Sequence, residues 1–166
     1  MTVQLWQGSA LRRLRRERGV PVPTASTPSQ LPIGSLAPGF TLPAALGTPA
    51  SLRDLLASGH PQILLFLHHG CGPCRQLADE LASWTTKLDG RVDLTVIGSG
   101  TLADNALWSE EYGLTRYLVQ EYREVADRYA VRGTPTAIEI SSDGRIATGQ
   151  AFGTAAIRTL LESATG

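Results

Sequence analysis

The stretch from Ile63 to Cys74 reads Ile-Leu-Leu-Phe-Leu-His-His-Gly-Cys-Gly-Pro-Cys, and it holds both cysteines of the chain. Its first five residues are all apolar, which predicts a short strand buried on both faces, as in a parallel sheet. Cys71 and Cys74 therefore come just after the carboxyl end of this strand, with Gly72 and Pro73 between them. The other predicted elements can be arranged around this point.

The segment after the cysteines predicts a helix. Its apolar residues recur at helical spacing, at Leu77, Leu81, Trp84 and Leu88. Pro73 suits the first turn, where no backbone N–H is needed. Cys71 would then lie at the helix N-terminus, where unpaired N–H groups and the helix dipole favour the thiolate. Cys74, one turn further on, is placed to attack a mixed disulfide formed on Cys71, so the pair predicts a dithiol–disulfide cycle.

Two histidines just before the cysteines have two interpretations. A protonated imidazole at His68 or His69 would stabilise a thiolate at Cys71 and make the pair more oxidising. Alternatively, both rings are simply solvated at the end of the strand, and we favour this simpler interpretation. Glu80 falls on the polar side of the predicted helix, and we expect it to be solvated.

The middle of the chain predicts a second strand and an insertion. Apolar and polar residues alternate over 92–96, which indicates a strand parallel to the first. Residues 102–112 predict a helix that ends at Gly113, a suitable C-cap. A short extended piece over 117–119 follows. This helix and strand form an insertion ahead of the last third of the chain.

The last third predicts a hairpin between two helices. Tyr122 and Tyr129 belong to a segment with helical spacing, and we expect both rings in the core. A turn at 142–144 follows a strand, and a returning strand begins at Ile146. Thr154 is the predicted cap of a final helix. The whole pattern predicts an α/β fold with a central mixed sheet flanked by helices.

Composition divides the chain into two parts. Its 166 residues suit one domain, and 15 Lys and Arg balance 15 Asp and Glu, so net charge gives no case for nucleic-acid binding. Five arginines fall between positions 12 and 18, and a Pro-, Ser- and Thr-rich stretch follows. We therefore interpret residues 1–30 as a basic tail with a linker, and residues 31–166 as the globular domain.

The basic tail raises the question of a membrane. We favour a solvated extension, and the alternative is a segment that associates with anionic lipid. The sequence contains neither an apolar run of about 20 residues nor a signal-peptide core, so we expect a soluble chain. The compartment stays open between the cytoplasm and the extracytoplasmic face of a bacterial membrane.

Several motifs in order carry a resemblance. Cys-Gly-Pro-Cys at 71–74 follows Ala-Pro-Gly-Phe-Thr-Leu-Pro at 37–43, and Glu-Tyr-Gly-Leu at 111–114 precedes Val-Ala-Asp-Arg-Tyr-Ala-Val-Arg-Gly-Thr-Pro-Thr at 125–136. Residues 31–166 thereby resemble the thioredoxin superfamily, most closely its TlpA-like and ResA-like thiol-disulfide oxidoreductases, which share an N-terminal region with peroxiredoxins of the AhpC/TSA type. The resemblance implies a thioredoxin-like fold with the inserted helix and strand described above.

The resemblance also implies roles. Cys71 attacks and Cys74 resolves, Pro135 is a cis-proline packed against the disulfide, and the backbone of Thr134 pairs with an extended substrate segment. Gly72 and Pro73 between the cysteines match reducing thioredoxins, which favours disulfide reduction, and we place both in the support of the site. From its position close to Cys71, we also count His69 among the supporting residues. The implied partners are protein disulfides or dithiols and an upstream thiol donor, and no cofactor is expected beyond the Cys71–Cys74 disulfide.

Three departures from the family pattern concern proton transfer and the entry to the site. Leu65 stands where thioredoxins have a buried Asp, Gly70 where relatives often have an aromatic residue, and Leu77 where ResA-like proteins have a Glu. Proton delivery to Cys74 would therefore come from water or from a group that the sequence does not identify.

Two alternative functions follow from the same residues. A thiol peroxidase is suggested by the peroxiredoxin-like opening, but residues 68–71 lack the Pro and Thr that approach a peroxidatic cysteine. A copper- or metal-binding module would use both cysteines with His68 or His69 as soft ligands. A structural zinc site is harder to build, because His60 is the only further histidine and such sites want four ligands.

Overall fold

The computed structural model describes residues 29–166, so the expected basic tail lies outside the described part except for its last two residues. The strands within residues 29–166 are β1 (Thr41–Leu42), β2 (Ala50–Ser51), β3 (Gln62–Phe66), β4 (Asp93–Ser99), β5 (Tyr117–Gln120), β6 (Thr136–Ile140) and β7 (Ala151–Phe152). The helices of the same residues are α1 (Leu52–Leu56), α2 (Gly72–Leu88), α3 (Leu102–Tyr112), α4 (Glu124–Arg128) and α5 (Thr154–Thr165).

Five of the strands form one mixed sheet in the order β5-β4-β3-β6-β7. β3 and β4 are parallel, as are β4 and β5, whereas β6 is antiparallel to β3 and to β7. β3 and β4 are connected through α2, and the three elements form the predicted strand–helix–strand unit. α3 and β5 form the predicted insertion. The architecture therefore confirms the expected α/β class with a central mixed sheet.

β3 is the central strand, and both of its faces are covered. All five of its residues are buried, which confirms the predicted strand, although it begins and ends one residue earlier than its apolar run. Ile63 and Leu65 pack in a cluster with α2 and α5, whereas Leu64 and Phe66 pack on the opposite face with Tyr129. Buried apolar surface on both faces therefore fixes the strand from whose carboxyl end the cysteines follow.

α2 confirms the predicted amphipathic helix. Its buried residues are Cys74, Leu77, Ala78, Leu81, Trp84 and Leu88. The expectation that Glu80 is merely solvated is wrong, since its carboxylate accepts hydrogen bonds of 3.0 Å and 2.5 Å from the guanidinium of Arg158 on α5. This ion pair joins α2 and α5, which pack on the same face of the sheet.

A buried polar group holds the insertion against the sheet. α3 ends at Gly113 in the left-handed conformation, as predicted. The hydroxyl of Tyr117 donates a 2.6 Å hydrogen bond to Oδ1 of Asn105, and Nδ2 of Asn105 donates to the carbonyl oxygens of Ser99 and Thr101 at 3.2 Å and 2.8 Å. Because Asn105 is fully buried, these bonds satisfy the polar atoms that burial removes from water.

The predicted helix from Tyr122 to Tyr129 is shorter than expected. α4 begins at Glu124, whose carboxylate accepts hydrogen bonds from the backbone N–H groups of Glu121 and Tyr122 at 2.9 Å each. These bonds close a turn before the helix, so Tyr122 lies outside it and is 75% exposed. The prediction of a core position was therefore wrong for Tyr122 and is confirmed for the fully buried Tyr129.

The end of the chain differs from the prediction in two details. Ile146 forms only an isolated bridge with Ile140, and the returning strand is the two-residue β7. The N-cap of α5 is Gly153 at a φ of 84°, with no side-chain cap, so the predicted cap at Thr154 was wrong. The helices within residues 29–166 are all too short or too polar to cross a bilayer.

Candidate active site

Cys71 and Cys74 are joined by a disulfide at the amino end of α2. Cys71 is the N-cap residue, and its Sγ atom accepts a 3.2 Å hydrogen bond from the backbone N–H of Cys74. Pro73 lies in the first turn, as predicted. In the reduced protein the same N–H and the dipole of α2 would stabilise negative charge on the Cys71 sulfur.

The two cysteines differ in accessibility. Cys71 is half-buried, and Gly72 and Pro73 beside it are exposed. Cys74 is fully buried and packs in the cluster that contains Leu65 and Leu77. An external sulfur can therefore reach Cys71, whereas Cys74 can be reached only through its neighbour.

The loop before β6 covers the disulfide. The Thr134–Pro135 peptide bond is cis, as the resemblance implies, and Pro135 is buried. The carbonyl oxygen of Thr134 lies 3.6 Å from the Sγ atom of Cys71. Two hydrogen bonds hold the loop, one from Thr136 Oγ1 to the carbonyl of Gly133 at 2.7 Å and one from the N–H of Gly153 to the carbonyl of Pro135 at 3.0 Å.

The loop between β3 and α2 is held by polar contacts that the sequence did not reveal. The backbone N–H of Gly70 donates a 3.0 Å hydrogen bond to Nδ1 of His68, and Nε of Arg75 donates to the carbonyl of His69 at 3.2 Å. The rings of His68 and His69 are stacked, with centroids 4.5 Å apart. Within residues 29–166, Nδ1 of His69 is buried and has no hydrogen-bond partner.

Leu65 stands at the position where thioredoxins bury an Asp near the second cysteine. Leu65 is fully buried at that position and packs in the same cluster as Cys74. Glu139 on β6 was not identified from the sequence, although it pairs with Ile63 and so faces the same side of the sheet. Burial raises the pKa of Glu139. A glutamate between two isoleucines in a predicted strand was the only sequence signal for this residue.

Metal binding finds no support in the described residues. Among residues 29–166 no group of three or more His, Cys, Asp or Glu side chains could hold a metal ion. Both cysteines are bonded to each other, and Nδ1 of His68 already accepts the Gly70 N–H. His60 lies at the amino end of β3, with its Nδ1 atom 3.7 Å from a carboxylate oxygen of Asp93.

Three solved structures share the fold of this chain. A Chlorobium tepidum protein assigned as the thiol:disulfide interchange protein DsbE superposes with a TM-score of 0.71 at 22% identity, over 82% of this chain and 99% of that one. The thioredoxin domain of a Bacteroides vulgatus thiol-disulfide oxidoreductase gives 0.65 at 20% identity, over 82% and 99%. StoA of Bacillus subtilis gives 0.63 at 18% identity, over 76% and 96%. These likenesses establish the fold as thioredoxin-like.

The fold and the CxxC disulfide at the start of α2 together define a thioredoxin-like thiol-disulfide oxidoreductase. Residues 33–148 match the AhpC/TSA family, so the chain belongs to that family. It is also 27% identical over 152 residues to the methylamine utilization protein MauD of Methylobacillus flagellatus. This match covers 90% of this chain and 71% of that protein.

The thiol-peroxidase alternative is not favoured over disulfide exchange. The residue in question, Cys71, forms a disulfide with a cysteine only three positions away, and this partner is buried directly behind it. Both sulfurs therefore belong to one exchange couple, and the fold is shared with the thiol-disulfide proteins named above.

Proposed function

We propose that the chain exchanges its Cys71–Cys74 dithiol and disulfide with partner proteins, and that it works as a reductant. The observation that carries this proposal is the unequal burial of two bonded sulfurs, since only Cys71 is accessible and Cys74 lies fully buried behind it. Exchange through a mixed disulfide needs one sulfur that meets the partner and a second that waits beside it.

The reductive cycle has two sulfur-transfer steps. The thiolate of Cys71 attacks a partner disulfide, so that a bond forms between Cys71 and one partner sulfur while the partner's S–S bond breaks and its second sulfur leaves as a thiolate that takes up a proton. Cys74, deprotonated, then attacks the Cys71 sulfur and releases the partner's remaining thiolate. The partner disulfide has gained two electrons, and the chain is left as the observed disulfide.

Turnover therefore requires a second partner. An upstream thiol donor must return two electrons to the Cys71–Cys74 disulfide, and we propose a dithiol protein in this role because the accessible sulfur is the same in both half-reactions. The reducing direction rests on the Gly72-Pro73 pair between the cysteines and its resemblance to reducing thioredoxins. Measuring the reduction potential of the couple against glutathione tests it, because a value near -270 mV is typical of thioredoxin and one near -120 mV is typical of DsbA.

Substrate docking is proposed at the loop before β6. The carbonyl of Thr134 lies beside the reactive sulfur, and the buried Pro135 fixes the direction of this backbone. An extended partner segment joined to Cys71 would place its own backbone next to Thr134, with Gly72 and Pro73 exposed on the other side of the bond. We propose His69 only as part of the loop that supports Cys71.

Insulin reduction by dithiothreitol tests the proposed activity. The wild-type chain should accelerate insulin precipitation well above dithiothreitol alone, and Cys71→Ser should abolish the acceleration. Cys74→Ser is the matched control, since it keeps the accessible sulfur but cannot complete the cycle. If Cys71→Ser is as fast as the wild type, the proposal is wrong.

Membrane association through the basic tail is a separate proposal. Residues 12–18 contain five arginines, which would attract an anionic lipid surface. Cosedimentation with vesicles of phosphatidylserine and phosphatidylcholine, compared with a variant in which those arginines are replaced by serine, tests it. Equal sedimentation of the two chains would reject the association.

A further inference from the structure

We propose that His68 is a positioning residue for Cys71. Its imidazole acts in the neutral form, and the Nδ1 atom of the ring holds the Gly70 backbone. The inference deepens the proposed function, because its consequence is the reactivity of the attacking sulfur. Its test uses Cys71 alone and needs no protein substrate.

Two successive backbone amides depend on His68. The N–H of Gly70 donates a 3.0 Å hydrogen bond to Nδ1 of the ring, and the N–H of Cys71 donates a 2.9 Å hydrogen bond to the carbonyl of His68. The second bond is a tight turn that brings the chain into α2. The residue at 68 thus binds, through its side chain and its backbone, both amides that precede the first turn of the helix.

The ring bond requires one protonation state. A neutral imidazole has one nitrogen that donates and one that accepts, and here Nδ1 must accept. The ring proton of His68 therefore lies on Nε2. A doubly protonated ring would present an N–H at Nδ1 to the N–H of Gly70, and the contact would become repulsive.

The ring also occupies the space beside residue 70. A Cβ atom placed on Gly70 would lie 3.1 Å from both Cε1 and Nδ1 of His68, which is closer than ordinary van der Waals contact. Gly70 is therefore matched to the ring, and the pair forms one structural unit at the entrance to α2. The position directly before Cys71 is a glycine, and the His68 ring leaves little room there for a side chain.

The surroundings of His68 in the disulfide form disfavour a positive charge on its ring. The His68 side chain is exposed, but local desolvation, and then the charge of the neighbouring His69 ring stacked on it at 4.5 Å, lower the pKa of His68. On α2, Nε of Arg75 donates to the carbonyl of His69 at 3.2 Å, and the Cys71 sulfur lies at the start of the same helix. The neighbouring His69 thus opposes a positive charge on the His68 ring, while a thiolate at Cys71 would favour that charge.

The neutral ring cannot itself supply the positive charge that would stabilise a thiolate. Above the ordinary histidine pKa of about 6.5, stabilisation of the Cys71 thiolate would instead come from the Cys74 N–H and from the dipole of α2. His68 contributes by holding the loop that places Cys71 as the N-cap. The thiolate-stabilising imidazolium considered from the sequence is therefore not the role proposed for His68.

Two variants separate the acceptor from the imidazole. His68→Asn keeps an acceptor, because an Asn side chain bonds the backbone N–H two residues on in an Asx turn, and it does not titrate. His68→Ala removes the acceptor. His60→Asn, at the amino end of β3, is the matched control for the loss of a histidine. Folding of each is checked by thermal unfolding.

The readout is the alkylation rate of reduced Cys71 by iodoacetamide between pH 5 and 8, in the Cys74→Ser background. We expect His68→Ala to be slower by about fivefold at pH 7, a factor that corresponds to one neutral hydrogen bond, and His68→Asn to regain most of that loss. After correction for thiolate ionisation, the wild-type rate should fall as the pH drops through the pKa of His68, which lies below the ordinary histidine value, and the His68→Asn rate should not fall.

Three results would overturn the inference. One is an unchanged alkylation rate in His68→Ala, and another is a His68→Asn rate as low as that of His68→Ala. The third needs no variant: long-range ¹H–¹⁵N correlation should show the neutral His68 ring protonated on Nε2, and a proton on Nδ1 contradicts the bond to Gly70. The two proposals are tested separately: the alkylation rates and the ring tautomer test the role of His68, whereas the insulin assay tests the proposed function.

Discussion

The carbonyl oxygen of Thr134 lies 3.6 Å from the Sγ atom of Cys71, although 63 positions separate the two residues in the chain. The sheet brings them together, because β6 runs antiparallel to β3 and Phe66 at the end of β3 pairs with Thr136 near the start of β6. The more accessible sulfur of the disulfide therefore meets a backbone carbonyl at the edge of the sheet where β3 ends and β6 begins.

A trapping experiment follows from the unequal burial of the cysteines. Cys74→Ser should accumulate a mixed disulfide between Cys71 and a partner protein, because the buried sulfur that would release it is missing. Non-reducing electrophoresis and intact mass spectrometry after incubation with oxidised insulin measure the adduct. Cys71→Ser is the control and should form far less adduct, since Cys74 is fully buried. Equal trapping by the two variants would show that the accessible sulfur has been misassigned.

A steric prediction concerns Gly98 on β4. A Cβ atom at this position would overlap the Asn105 and Tyr117 side chains and would break the 2.6 Å hydrogen bond between them. We expect Gly98→Ala to lower the free energy of unfolding by about 1–3 kcal/mol, as overpacking in a core does. Urea unfolding measures the change.

Two further measurements sharpen the Gly98 prediction. Gly39→Ala is the matched control, because a Cβ atom there has no neighbour within 4 Å, and its free energy of unfolding should change little. Burial raises the pKa of Tyr117 far above its usual value, so loosening by Gly98→Ala should bring the ultraviolet titration of this ring to lower pH. A stable Gly98→Ala variant with an unshifted titration would contradict the packing described here.

The ion pair between α2 and α5 predicts a sensitivity to acid. Hydrogen bonds from Arg158 lower the pKa of Glu80, so its contribution to stability is complete above the unfolded-state value of about 4.3 and is lost as the pH falls. Glu80→Gln should cause a small loss of stability at pH 7 and a flatter acid limb in urea unfolding from pH 7 to 3. Both side chains are more than a third exposed, which limits the effect. Asp79→Asn, exposed on the same helix, should leave the limb unchanged; an identical response of the two variants speaks against the ion pair.

Glu139 should behave in the opposite way. Burial raises its pKa, so the folded state disfavours the charged form and stability decreases as the pH rises through the folded-state value. We expect Glu139→Gln to raise the unfolding temperature at pH 7 and to have no such effect at pH 4, where the wild-type carboxyl is also protonated when folded. Differential scanning calorimetry at both pH values tests this, with exposed Glu162→Gln as the control. A stabilisation of equal size at both pH values would exclude ionisation as its cause.

The strand before the cysteines and the helix after them were predicted correctly from local patterns in the sequence. Five apolar residues in succession allowed one interpretation as a central strand, and the spacing of Leu77, Leu81, Trp84 and Leu88 allowed one as a helix. Periodicity depends only on residues close together in the chain, so it predicts an element correctly when the apolar residues of the pattern are the ones that become buried. Tyr122 shows the limit, because its helical spacing was overruled by the Glu124 carboxylate that closes a turn just before α4.

The predicted chemistry of the site was likewise local in origin. Two cysteines three residues apart, after a strand and before a helix, place one sulfur at a helix N-terminus by chain geometry alone. The cis bond at Pro135 was implied only by the resemblance to a family. The roles of Cys71 and Cys74 remain proposals that the trapping experiment tests.

The sequence by itself determined the central strand, the helix that follows it and the placement of Cys71 at their junction, because each depends on residues within a few turns of one another. Only the tertiary structure decided that Thr134 covers this sulfur, that Glu80 binds Arg158, and that Nδ1 of His68 accepts the Gly70 N–H. The first two join distant segments through strand order and helix packing. The third depends on the direction of one ring, which is set by neighbours in space and not by spacing along the chain.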